Sequence, residues 1–138
     1  MLEKLWDAGI VVVCAAGNKG PLEGSISDIG GSAKLITVGC YDDISIINKG
    51  ESCEIYSGRG FSNQNPRKPN LVAPGSNIVS CNYDWKWKNG HYEELYVAKS
   101  GTSMAVPMVT GCAALLLCKE PYLSNERVKE RLQYTAQD

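Results

Sequence analysis

Two short, unbroken apolar runs occupy the first third of the chain, and one long apolar segment lies near its C-terminal end. Ile10-Val11-Val12-Val13-Cys14-Ala15-Ala16 is continuous and rich in β-branched residues, the pattern of a strand buried on both faces of a parallel sheet. Leu35-Ile36-Thr37-Val38-Gly39-Cys40 repeats that pattern. Leu71-Val72-Ala73 and Ile78-Val79-Ser80 predict two shorter strands, with Pro74-Gly75 forcing a turn between them. Ahead of the first run, Leu2 to Ala8 reads as the last turns of a helix that Gly9 ends. Asn48-Lys49-Gly50 predicts a turn between short strands. From Tyr83 to Val97 the period changes: Trp85 and Trp87 alternate with Lys86 and Lys88, Asn89-Gly90 supplies a two-residue turn, and Tyr92 to Val97 returns as a surface hairpin. Gly101 to Cys118 predicts a buried helix with Pro107 in its first two turns, and Ser124 to Tyr134 an amphipathic helix with Val128 and Leu132 one turn apart. Strands alternating with helices predict an α/β fold, a mostly parallel sheet flanked by helices, in a single domain over 1–138.

Composition narrows the function classes. With 43% hydrophobic and 21% charged residues among 138, the chain is long enough to bury a core. A net charge of -1 without a basic block argues against nucleic acid and against an anionic membrane surface. The Trp–Lys alternation of one hairpin is too small a platform to reverse that. No apolar run is seen to reach the roughly 18 residues of a membrane span, and the first residues lack the order of a secretory signal. The chain as it stands is therefore expected in the cytoplasm. Six cysteines (Cys14, Cys40, Cys53, Cys81, Cys112, Cys118) include no Cys-x-x-Cys pair and accompany a single histidine. Buried, reduced thiols are expected, with no metal and no cofactor. Gly58-Arg59-Gly60 and Gly30-Gly31-Ser32-Ala33-Lys34 lack the spacing of nucleotide-binding loops.

The chemistry concentrates in Ser100-Gly101-Thr102-Ser103-Met104-Ala105-Val106-Pro107. A small-residue loop delivers Ser103 to the start of a helix, where free N–H groups and the helix dipole favour negative charge. A serine nucleophile works best in such a place, because attack on a carbonyl builds an oxyanion beside it. The same residues also make an ordinary helix cap. The flanking sequence changes the balance. Gly101 to Pro107 matches Gly-Thr-Ser-Met-Ala-x-Pro, the signature around the nucleophile of subtilisin-like serine proteases, the subtilases. Ala15-Ala16-Gly17-Asn18 resembles the family's oxyanion-hole segment. Lys68-Pro69-Asn70-Leu71-Val72-Ala73-Pro74-Gly75 resembles its Lys-Pro-Asp-(Leu/Val)-x-Ala-Pro-Gly stretch.

The three segments occur in family order and together span essentially the whole chain. The resemblance implies a partial subtilisin-like fold with Ser103 as nucleophile. It implies that Asn18 donates its amide to the oxyanion, and that Ala15, Ala16 and Gly17 line one wall of the pocket for the side chain preceding the scissile bond. The implied reaction is peptide-bond hydrolysis through an acyl-enzyme, on a peptide or protein substrate.

The departures matter as much. In subtilisin the acid and base precede the serine. Here only 17 residues precede Asn18, with Asp7 on a helix and no histidine among them. The expectation is a C-terminal half of the catalytic domain that is nearly inactive alone. His91, the one histidine, is expected to be a hairpin surface residue. Met108 replaces the family's usual histidine at a structural helix position, and Ile26-Ser27-Asp28-Ile29-Gly30-Gly31 replaces a pocket-shaping Tyr-Pro, with Asp28 able to favour a basic side chain. The alternatives are a non-catalytic, self-associating half-fold, and a split enzyme completed by a separate chain carrying acid and base.

Overall fold

The computed structural model describes residues 1–42 and 52–136. Helix α1 (Leu2–Asp7) leads into β1 (Val13–Ala15), then β2 (Ile36–Cys40), a 3₁₀ turn at Cys53–Tyr56, and β3 (Leu71–Ala73). Four further strands follow, β4 (Ile78–Cys81), β5 (Lys86–Lys88), β6 (His91–Glu93) and β7 (Tyr96–Lys99), and then helices α2 (Thr102–Lys119) and α3 (Asn125–Thr135). Strands β1, β2 and β3 form a parallel sheet in that order, with Val13 opposite Ile36 and Val38 opposite Leu71. The α/β expectation holds, with parallel strands and helices packed on them. The expected Asn48-Lys49-Gly50 turn lies outside the described residues.

Burial separates the two strands that looked alike in sequence. All five residues of β2 are buried, whereas β1 is shorter than its apolar run and half-buried throughout. The reason is position: β2 is central, and β1 lies at an edge of the sheet among the described residues. The core joins Trp6 of α1 to Leu35, Ile36, Val38 and Ala73 of the sheet side and to Ala105 and Val109 of α2. Helix α3 closes that core through Trp6: the Asn125 amide donates to the Trp6 carbonyl at 2.7 Å, and the indole N–H donates to Glu126 at 3.1 Å. Ser124 caps α3, its hydroxyl accepting from the Arg127 N–H at 3.3 Å.

The expected hairpin has a different ending. Lys86 to Lys88 pairs with His91 to Glu93 across Asn89-Gly90, and Trp85 and Trp87 both meet the Tyr92 ring edge-on. The return does not run on to Val97. Glu94 takes a positive φ of 56°, the chain swings away, and Tyr96–Lys99 pairs antiparallel with β4 instead.

Helix α2 also corrects the reading of its sequence. A single stripe, Thr102, Ala105, Val109 and Ala113, is buried against β1 and β2. Leu115 on another face is 72% exposed and Met108 42%. A helix apolar all round needs cover on both sides, and among the described residues its cover comes from the sheet and from α3, which leaves Leu115 and Met108 outside it. By length and composition its 18 residues also reach what a membrane span requires, which the run-by-run reading of the sequence missed.

Candidate active site

The loop that enters α2 is held by a residue 84 positions earlier in the chain. Asn18 Oδ1 accepts hydrogen bonds from the Thr102 N–H and from Thr102 Oγ1, each at 3.0 Å. Thr102 Oγ1 in turn accepts from the Gly17 N–H at 3.2 Å. With its oxygen tied down, the Asn18 side chain turns Nδ2 toward Gly101, where a Cβ would lie 3.2 Å from that nitrogen. Gly101 adopts a φ of 141°, a conformation that side-chain-bearing residues rarely take, so glycine is required both by backbone and by space.

Ser103 follows as the second residue of α2 and is exposed. Its N–H belongs to the first turn of the helix, where no intrahelical acceptor exists. Among the described residues no side chain hydrogen-bonds its hydroxyl. Asn18 Nδ2 thus faces the Gly101 position, two residues before Ser103, and the Ser103 N–H lies at the positive end of the helix. That arrangement can stabilise an anion forming beside Ser103.

The segment expected to line a pocket, Ala15 to Gly17, leads into Asn18. Ala15 pairs with Val38 at the end of β1, and its carbonyl accepts from Ser27 Oγ at 2.9 Å. Ala16 is fully enclosed, donating its N–H to the Val38 carbonyl and accepting from the Ser27 N–H. The Gly17 carbonyl accepts from the Gly58 N–H at 2.7 Å. The structure therefore brings Ala15, Ala16, Gly17, Asn18 and Ser103 together through Thr102. Asp28 is exposed on the loop beyond Ser27. His91 is exposed on β6, with Nε2 3.2 Å from Glu93, and no hydrogen bond joins it to Ser103. Asp7 pairs with Lys34 at 2.6 Å on the surface.

Sequence reasoning passed over Thr102, which is buried and supplies both contacts that orient Asn18. The available signal was its place between the required glycine and the serine. The cysteine expectation needs correcting too. Cys40 and Cys53 form a disulfide, with Cα atoms 5.8 Å apart, and Cys81, Cys112 and Cys118 are exposed rather than buried. Only the half-buried Cys14 approaches the expected environment. Cys112 was misplaced because it lies on the uncovered side of α2.

Comparison with known proteins defines the class. The subtilase family matches residues 3–138, and the chain belongs to that family. It is 40% identical to serine protease AprX of Bacillus subtilis (strain 168), the match covering 96% of this chain and 31% of AprX. It is 37% identical to subtilisin DY of Bacillus licheniformis over 98% of this chain and 42% of that protein. Among solved structures, sphericase superposes with a TM-score of 0.76 at 31% identity, covering 98% of this chain and 42% of its own. The chain thus spans between 31% and 42% of the length of these relatives.

Proposed function

We propose that this chain carries the nucleophile and oxyanion hole of a subtilisin-like endopeptidase. Ser103 Oγ attacks the scissile carbonyl, and the developing oxyanion is met by the Ser103 N–H and Asn18 Nδ2. The tetrahedral intermediate collapses to an acyl ester on Ser103, the amine leaves, and water hydrolyses the ester. Ala15 to Gly17 contribute one wall of the pocket for the preceding side chain. A histidine must take the serine proton and an aspartate must orient it. No described residue stands in either position, so this reading requires a partner segment that supplies both. The observation that carries this reading is the Thr102 clamp on Asn18 Oδ1, which leaves the amide nitrogen free beside the nucleophile loop.

The test is fluorophosphonate labelling of the chain alone, and of the chain mixed with a polypeptide corresponding to the AprX sequence upstream of the matched region. Labelling is expected only in the mixture, and is expected to vanish in Ser103→Ala. Equal labelling of Ser103→Ala sinks the nucleophile assignment. In subtilisin itself, loss of the oxyanion asparagine costs about 10²–10³-fold in turnover, and Asn18→Ala is expected to slow labelling in the same range.

A second reading, a non-catalytic half-fold that associates with itself, is favoured by the one-sided burial of α2 beside the edge strand β1. Such surfaces invite pairing. A monodisperse dimer by sedimentation, without labelling in the complemented mixture, would favour it.

A further inference from the structure

Behind the nucleophile loop lies a cluster that the proposed reaction does not use. Cys40 ends β2, Cys53 opens the 3₁₀ turn, and Asp42 stands between them in sequence and in space; all three are buried. Asp42 Oδ2 is 3.3 Å from Cys40 Sγ and 3.4 Å from Cys53 Sγ. The same carboxylate accepts from the N–H groups of Gly75 and Ser76, each at 3.0 Å, and of Cys53 at 3.2 Å. The hydroxyls of Ser76 (2.6 Å) and Ser52 (3.1 Å) complete its surroundings. Every one of these partners is neutral, so a buried anion faces two sulfurs without a counter-cation among the described residues.

We propose that Cys40, Asp42 and Cys53, once the disulfide is reduced, form a binding site for a thiophilic divalent cation such as zinc. Reduction is a two-electron exchange with a dithiol. The reductant's two thiols become its disulfide, and its two protons and two electrons leave Cys40 and Cys53 as thiols. Binding of the cation then displaces both thiol protons, giving two thiolates and one carboxylate on the metal. The sulfur–oxygen spacing fits. With Zn–S near 2.3 Å and Zn–O near 2.0 Å, a tetrahedral site separates sulfur from oxygen by about 3.5 Å, close to the 3.3 and 3.4 Å present with the disulfide closed. The two sulfurs, bonded to each other in the disulfide, must part on reduction to the roughly 3.8 Å that the same geometry requires. The hydroxyls of Ser52 and Ser76 and the amides of Gly75 and Ser76 hold the carboxylate in place, the outer support that metal ligands require. Gly75 makes room: a Cβ there would lie 2.8 Å from Cys40 Sγ and 3.0 Å from Cys53 Sγ.

The same glycine ties the site to Ser103. Its carbonyl accepts from the Gly101 N–H at 2.9 Å, and its missing Cβ would press on the Gly101 carbonyl at 2.8 Å. The disulfide and the cation are mutually exclusive occupants of this space, so each sets the floor beneath the loop differently.

The experiment titrates Cd²⁺ into the anaerobic, dithiol-reduced and desalted chain, following the ultraviolet thiolate-to-cadmium charge-transfer band. The disulfide-containing chain, and Cys40→Ser and Cys53→Ser shown folded by circular dichroism, are titrated alongside. The reduced chain is expected to bind one equivalent, and the oxidised chain none at this site. Either serine variant should lose at least 100-fold in affinity, and Asp42→Asn about 10- to 100-fold. The Gly101 and Thr102 amide resonances should shift on loading. A reduced, folded chain that takes up no Cd²⁺ overturns the proposal. So does an undiminished band in both serine variants, or an unchanged affinity in Asp42→Asn. Because the oxidised wild-type chain needs no substitution, the comparison survives if a variant fails to fold.

Discussion

Two charges are buried among the described residues, and they are solvated in opposite ways. Asp42 is 3% exposed and Lys68 5% exposed, and neither has an oppositely charged partner among its described hydrogen bonds. Lys68 Nζ donates to the Leu35 carbonyl at 3.0 Å, to Thr37 Oγ1 at 3.0 Å and to Asn70 Oδ1 at 2.8 Å. Both groups have lowered pKa values, yet the meanings differ. For Lys68, burial drives the value down from 10.5 to about 8, with the nearby Lys129 charge adding to it. Its three neutral acceptors do not compensate the loss of water. For Asp42, burial pushes the value up, but the bonds from Ser76, Gly75 and Ser52 outweigh it and hold the carboxyl below its usual range. The lesson is one of donor number and geometry: converging amides and hydroxyls make an anion comfortable, whereas the ammonium is tolerated at a cost.

That contrast can be broken at its strongest point first. Asp42→Ala strands the amides of Gly75 and Ser76, while the Cys53 N–H keeps Ser76 Oγ at 2.7 Å. The variant is expected to cost about 3 kcal/mol, at roughly 1.5 kcal/mol per unsatisfied buried donor, in urea unfolding. The next effect is on pH dependence. Between pH 8 and 10.5 the unfolded chain keeps the Lys68 proton while the folded chain has lost it. The unfolded state then binds more protons, so stability rises with pH across that window. The burden at neutral pH is about 2 kcal/mol once partial solvation is allowed for. Lys68→Met is expected to flatten the rise, measured by unfolding at several pH values. A persistent slope in that variant would remove Lys68 as its source.

Smaller changes sharpen the comparison. Asn70→Asp gives the ammonium a carboxylate where an amide oxygen now sits 2.8 Å away. Lys68 should then titrate nearer its ordinary value by NMR, with a gain of about 1 kcal/mol at pH 7. Ser52→Ala removes one of several donors to Asp42, and should cost about 0.5–1 kcal/mol. Its sign is checked in acid. A depressed carboxyl stabilises the fold above the unfolded value of 3.8 and loses that contribution as pH falls through the folded one. The variant should therefore retain less of its stability difference between pH 6 and pH 2.

How far the sequence revealed these features depends on the range of the interactions. The family was legible because Gly101 to Pro107 is a contiguous signature, and so was the helix that it opens, with Ser103 at the start of α2. Strand β2 was legible because a central parallel strand shows itself as an unbroken apolar run. The one-sided burial of α2 was not, since an apolar pattern states that a face wants cover and not whether cover is present. The Cys40–Cys53 link was hidden because spacing does not fix pairing. Thr102 looked like a cap residue; its partner, Asn18, is remote in sequence and local only after folding.

That separation has a kinetic consequence. A contact closing 84 residues carries a large loop-closure cost and forms only when the intervening strands are in place. The Asn18 amide thus acquires its orientation late, and loses it early if either end of the domain opens. A nascent or partly unfolded chain presents Ser103 without an aligned amide. The geometry on which the proposed reaction relies is therefore coupled to completion of the fold, and hydrogen exchange at the Thr102 amide would report how closely.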